Sequence, residues 1–450
     1  MIKLLIIMIV IFLTSGCYDA NEPNDIAYVI ALGIDKAEEE ELYEYTIQFA
    51  KTTQISGGSS EEGGKEGSSI VDEINVKAPT IYSGINIANQ VVSKSFTLAH
   101  TKLIVFSDEI AKDGVKDLLD TFGRNSDIRP NIYLAVSQGK SKDYLDEVKP
   151  VVEVNPANYY RLIYESEHGG YVPKMILKDF YFQLDNHDKQ NILPLAGVNQ
   201  ENKKENEEKE QSSGGNSGSG GNSDSSGENQ SSDENSGSEE DEKKKVKTNK
   251  SGFDYLAKEY VAGEMDVDKQ NASEVIGMAV FSGDRMVGTM DNIESLIYNM
   301  LVGEFDFSYT AFYNKDYPKV PLTIALEQKR KPKIKVDTKT DKPKIDITLF
   351  LEGQLISEAI DYPVEDKIEE VEGEIEKETK KKVEKFLKKT IRMNADIVGF
   401  GQYAKKKFLT YNDYNSYEWT QKYADAEFDV NVDFELERIG FIDLSERGEK

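Results

Sequence analysis

The single thiol in 450 residues is Cys17, and its neighbours give it a particular chemistry. Lys3 supplies a positive start, Leu4 to Leu13 are ten apolar residues without a break, and Thr14, Ser15 and Gly16 put small side chains directly before the cysteine. A membrane-crossing helix needs about 20 apolar residues, so this run is too short to span and has the form of a secretory signal peptide. The sulfur of Cys17 is the expected lipid acceptor, and the small residues suit a peptidase that must then reach the backbone beside it. The other reactive side chains point away from catalysis. His100, His168 and His187 are the only histidines, and none has the His-x-x-x-His spacing with a nearby glutamate that holds a catalytic zinc. No Gly-x-Ser-x-Gly elbow and no phosphate loop occurs. Carboxylates are too abundant for any pair to mark an acid and base. The sequence therefore predicts no catalytic residue, no metal site and no cofactor. One concentration of side chains suits binding instead: Tyr403, Tyr411, Tyr414, Tyr417 and Trp419, with Phe408 among them, form a candidate partner surface, though aromatics fill interiors as readily as interfaces.

Composition narrows the partners. With 55 Lys and Arg against 82 Asp and Glu the net charge is −27, which argues against nucleic acid, because such binding needs clustered cations on phosphates. No polybasic patch stands out, so membrane attachment is expected through Cys17 rather than through the folded surface. With that thiol on lipid, none remains for a disulfide, and the fold must stand on packing.

The elements that must position these groups read as α+β, with mixed and antiparallel sheets flanked by helices after the lipoprotein signal peptide of residues 1–17. Ile26–Asp35 and Leu42–Ala50, joined by an acidic turn, predict a hairpin. Gln54–Ser69 reads as a loop. Tyr82–Phe96 has helical spacing at Ile85, Ala88, Val92 and Phe96; a strand at Lys102–Phe106, a helix capped by Ser107 and running through Phe122, a strand at Ile132–Val136 and a helix at Asn155–Ser166 follow. These compose an N-terminal domain, 18–166. A middle domain, 167–303, is interrupted by the polar tract 200–250, which has a single aliphatic residue, Val246, and cannot offset its ordering cost. It holds a hairpin at Glu274–Gly288 and a helix at Asp291–Leu301. A C-terminal domain, 304–450, carries strands at Phe305–Tyr313, Leu322–Gln328, Lys333–Asp337 and Lys344–Gly353, a long charged helix over 365–392 and a strictly alternating final strand over 427–438.

Several short pieces, in order, carry a resemblance: Cys17 followed by Asp19, Ala31-Leu-Gly-Ile-Asp35, His100-Thr-Lys-Leu-Ile-Val105, Ser126-Asp-Ile-Arg129, Gly277 to Gly288, Lys342-Pro-Lys-Ile345 and Asp396-Ile-Val-Gly-Phe-Gly401. The start resembles the lipobox of bacterial lipoproteins, with Thr14 where Leu is usual. The whole resembles the Ger(x)C family, the lipoprotein C subunits of spore germinant receptors; Tyr18 replaces the usual Trp and the 200–250 tract is longer than the usual connection. This resemblance implies three α+β domains, a place on the outer face of the spore inner membrane through acylated Cys17, and integral-membrane A- and B-type receptor subunits as partners. It also makes His100 a motif residue to test. A non-catalytic receptor subunit is thus the leading expectation, and an extracytoplasmic ligand-binding or hydrolytic lipoprotein the alternative.

Overall fold

The computed structural model describes residues 25–50, 71–125, 127–149, 155–165, 170–204, 259–267, 272–312, 321–357 and 367–438. Cys17, His168, the loop expected at Gln54–Ser69 and the polar tract beyond Lys204 lie outside the described residues. Among the described residues no helix is long and apolar enough to cross a membrane.

The first part of the chain forms the hairpin β1 (Ile26–Lys36) and β2 (Tyr43–Ala50), then β3 (Val71–Ala78) and α1 (Ile81–Ala88). Next come β4 (Ser95–Thr97), β5 (Leu103–Ser107), α2 (Asp108–Asp113), α3 (Lys116–Gly123), β6 (Tyr133–Ser137), α4 (Ser141–Asp146), α5 (Pro156–Tyr164), α6 (Leu177–Gln183) and β7 (Ile192–Val198). After the polar tract follow β8 (Ser273–Ser282), β9 (Arg285–Met290) and α7 (Asn292–Val302). The last part contains β10 (Phe307–Phe312), β11 (Leu322–Glu327), β12 (Lys333–Asp337), β13 (Lys344–Ser357), α8 (Ile368–Arg392), α9 (Phe400–Lys405), α10 (Tyr411–Tyr417), α11 (Trp419–Tyr423) and β14 (Glu427–Arg438). Two sheets with helices packed on them make the fold α+β.

The first sheet runs β3-β2-β1-β5-β6-β7-β8-β9, with β4 beside the start of β1. Its centre, β1, β5, β6 and β7, is parallel, and its flanks are antiparallel. Central strands covered on both faces read as unbroken apolar runs, and alternate side chains divide between two cores: Ile104 and Phe106 enter one, Leu103 and Val105 the other. The boundary expected at residue 166 therefore runs through one sheet, because β7, from beyond it, hydrogen-bonds to β6.

Two helices differ from expectation. The one read over Tyr82–Phe96 ends at Ala88, and Phe96 instead sits on β4 opposite Ala27. The one read from Ser107 to Phe122 begins as expected, with Ser107 Oγ accepting the Ile110 N–H at 3.3 Å, but breaks at Gly114, whose φ of 124° no right-handed helix accommodates.

In the second sheet β13 is the spine: β12 pairs with its first half, β11 with its second, and β14 runs parallel along the opposite side. Parallel neighbours need a long crossover, and α8 provides it. Its buried stripe is Val371, Ile375, Thr379, Val383, Phe386, Leu387 and Thr390. Two glutamates on α8 also serve β14, since Glu376 Oε1 accepts the Phe434 N–H at 3.1 Å and Glu372 Oε1 the Leu436 N–H at 2.8 Å. These bonds occupy backbone donors on the side of β14 away from β13, where an open edge would invite another strand. The larger apolar core is continuous through both sheets.

Candidate partner-contact site

Between α8 and β14 the chain makes the short helices α9 to α11, which pack where the two sheets meet. At their centre is Asp396, 4% exposed. Its Oδ1 accepts the N–H groups of Gly399 and Phe400 at 2.8 and 3.0 Å, and its Oδ2 accepts from the Gly401 N–H at 2.7 Å and Trp419 Nε1 at 2.9 Å. Its own carbonyl accepts the Gln190 N–H at 2.8 Å, so one residue links α9, α11 and the segment leading into β7. Burial pushes the carboxyl up to about 6 although all four donors favour the charged form. The glycines of the motif answer to the same crowding: Gly399 has a φ of 87°, and a Cβ on Gly401 would lie 2.5 Å from the Asp188 carbonyl oxygen and 2.7 Å from the Trp419 ring. Beside them Lys405 Nζ pairs with Asp188 at 2.7 Å.

The predicted aromatic cluster is brought together here and then divided. Phe408 lies 5.6 Å from Tyr414 and 5.1 Å from Tyr417, and the series continues to Trp419 at 6.5 Å and Tyr423 at 6.0 Å. Trp419 and Tyr414 are 2% and 3% exposed and belong to the core. Burial, helped by the adjacent Asp188 carboxylate, holds the Tyr414 hydroxyl well above the usual phenol range. Tyr403 and Tyr417 are half-buried, with the Lys406 ammonium 5.0 Å over the Tyr403 ring. Tyr411 faces solvent at 61% exposure, and two residues earlier Leu409 is 100% exposed. Sequence reasoning singled out Asp396 to Gly401 only as a motif and missed Leu409, Lys405 and the hydrogen bonds that centre on Asp396. A usable signal was present in the lysine triplet Lys405 to Lys407 followed by Thr410, whose Oγ1 caps α10 by accepting the Asp413 N–H at 3.2 Å.

His100 stands apart, on the turn into β5, exposed and edge-on to Tyr28 at 5.0 Å. Partial burial, together with the nearby Arg129 and Lys102 charges, lowers its pKa. Among the described residues no group of three or more His, Cys, Asp or Glu side chains is placed to hold a metal ion. What the aromatic region can do is chemical only in the sense of contact: it presents an apolar and cationic tip from a hydrogen-bonded base.

Comparison with known proteins gives this geometry its family. Residues 19–198 match the spore germination protein N-terminal domain, and residues 276–440 match the C-terminal domain described as spore germination B3/GerAC like. The chain belongs to the GerAC family of spore germination proteins. The two GerAC matches together take in well over half the chain, in the order the Ger(x)C resemblance required, and the polar tract falls between them. Among relatives, the putative spore germination protein YfkR of Bacillus subtilis (strain 168) is 28% identical over 144 residues, covering 32% of this chain and 37% of its own. Spore germination protein KC of the same organism is 22% identical over 192 residues, covering 42% of this chain and 47% of its own. This chain thus aligns with less than half the length of either relative. The crystal structure of the GerBC protein superimposes on 90% of this chain and 96% of its own with a TM-score of 0.48 and 14% identity.

Proposed function

We propose that this GerAC-family chain is a lipid-anchored, non-catalytic subunit of a spore germinant receptor. Acylated Cys17 holds it on the outer face of the spore inner membrane, and the folded part works through contacts with integral-membrane A- and B-type subunits to support the response to nutrients. The observation that carries this reading is the ordered pair of family matches on a chain whose first seventeen residues have the form of a lipid-attachment signal. Each buried methylene contributes about 0.8 kcal/mol and a single acyl chain binds only marginally, so durable attachment needs the two or three chains of a lipoprotein.

The test is Cys17→Ala, followed by membrane fractionation and a germination assay. Release from the membrane with loss of response is expected. A mutant that stays bound and germinates normally sinks the tether. A second reading, ligand binding, is supported by a cleft of about 460 Å³ lined by Tyr164, Glu165, Lys174, Asn299, Glu304 and Asp306. A germinant-dependent rise in Tm of the purified chain would favour it.

A further inference from the structure

The segment Lys405-Lys406-Lys407-Phe408-Leu409-Thr410-Tyr411 has three cations and no acid in a chain of net charge −27. Its root is fixed: Lys405 is paired to Asp188, Phe408 packs on Tyr414 and Tyr417, and Thr410 caps α10. Its tip is uncovered, with Leu409 100% and Tyr411 61% exposed and Lys406 and Lys407 exposed beside them. Leu409 and Tyr411 are thus neighbouring apolar side chains that contribute little to the core.

We infer that residues 405–411 are a membrane-contact tip, with Leu409 and Tyr411 entering the headgroup region of an anionic bilayer and Lys406 and Lys407 on lipid phosphates. The proposal rests on the membrane-attachment reading for its location and names lipid, rather than a receptor subunit, as the partner of this site. The chemistry favours lipid because the apolar residues protrude. An exposed Leu and Tyr beside lysines is the make-up of interfacial anchors. Charge complementarity agrees: most of so acidic a surface is repelled by anionic headgroups, while this segment is drawn to them. Against the net charge of the whole chain, Lys406 and Lys407 beside Leu409 and Tyr411 add a lipid contact to the one expected at Cys17. With Cys17 as one attachment, the tip becomes a second and sets which way the folded part faces.

Cys17 is the sole native cysteine, so Leu409→Cys in the acylated full chain gives a single thiol for an environment-sensitive fluorophore. On phosphatidylglycerol vesicles the emission should shift to the blue and be quenched by spin-labelled lipid, and on phosphatidylcholine vesicles it should do neither. Adding Lys406→Glu and Lys407→Glu should lower the inserted-to-free ratio at least thirty-fold, which is two lysines at about 1 kcal/mol each. A probe that stays in water on phosphatidylglycerol, or is shielded only when the receptor's membrane subunits are added, overturns the proposal. Dye attachment to Cys17 in the wild-type chain would mean a free thiol and failure of the lipid anchor alone. The 409 probe is then read in a Cys17→Ser background with the same two outcomes.

Discussion

Replacing Asp396 by Ala removes one acceptor from four buried donors, the N–H groups of Gly399, Phe400 and Gly401 and the Trp419 indole. Orphaned buried donors cost about 1–3 kcal/mol each, or roughly 4–12 in all. Against that stands the cost of burying the charge. A shift from the ordinary 3.8 to about 6 is worth about 3 kcal/mol, so the substitution should destabilise the chain at pH 7 by several kcal/mol. The pH dependence carries the sharper test. Because the folded-state pKa lies above the unfolded one, the folded chain takes up the extra proton, and the stability this group contributes is complete below about 3.8 and lost as pH rises through about 6. Between pH 7 and 4.5 the gap between wild type and Asp396→Ala should therefore widen by about 2 kcal/mol. Trp419 is the only tryptophan, and its fluorescence in guanidinium unfolding at the two pH values reads the hub directly. A gap that narrows on acidification would mean instead that the four hydrogen bonds outweigh burial and hold the carboxyl below its ordinary value.

Two further substitutions probe the packing around the same elements. Gly401→Ala drives a methyl to 2.5 Å from a backbone oxygen of the neighbouring segment, so a loss of about 1–3 kcal/mol is expected in the same unfolding assay, with Gly373→Ala, where a Cβ meets nothing, unchanged or stabilised. The double change Glu372→Ala, Glu376→Ala frees the Leu436 and Phe434 N–H groups on the outer side of β14; a loss of roughly 1–3 kcal/mol and a rise in light scattering on standing are expected, and an unchanged midpoint would show that water serves those donors as well.

Local patterns carried much of the fold. The alternation from Phe428 to Leu436 fixed which face of β14 is buried, because a strand has period 2 and one side of it must meet the core. Ser107 stands at a helix start for a reason its side chain carries alone, an oxygen that accepts the Ile110 N–H. The ordered motifs placed the chain in its family. Joining β7, β8 and β9 to the sheet begun at β1 was not legible, since that depends on hydrogen bonds between strands far apart in sequence, across a tract with no periodicity of its own. Nor was the fate of the aromatics. Tyr411, Tyr414, Tyr417 and Trp419 have similar side chains, and only the turn of two short helices against Asp188 and Asp396 decides that Tyr414 and Trp419 go inward while Tyr411, with Leu409, is left in water. Residue type determined that a cluster would exist; burial, which is set by what packs against it from elsewhere in the chain, decided which part of it remains free to touch anything.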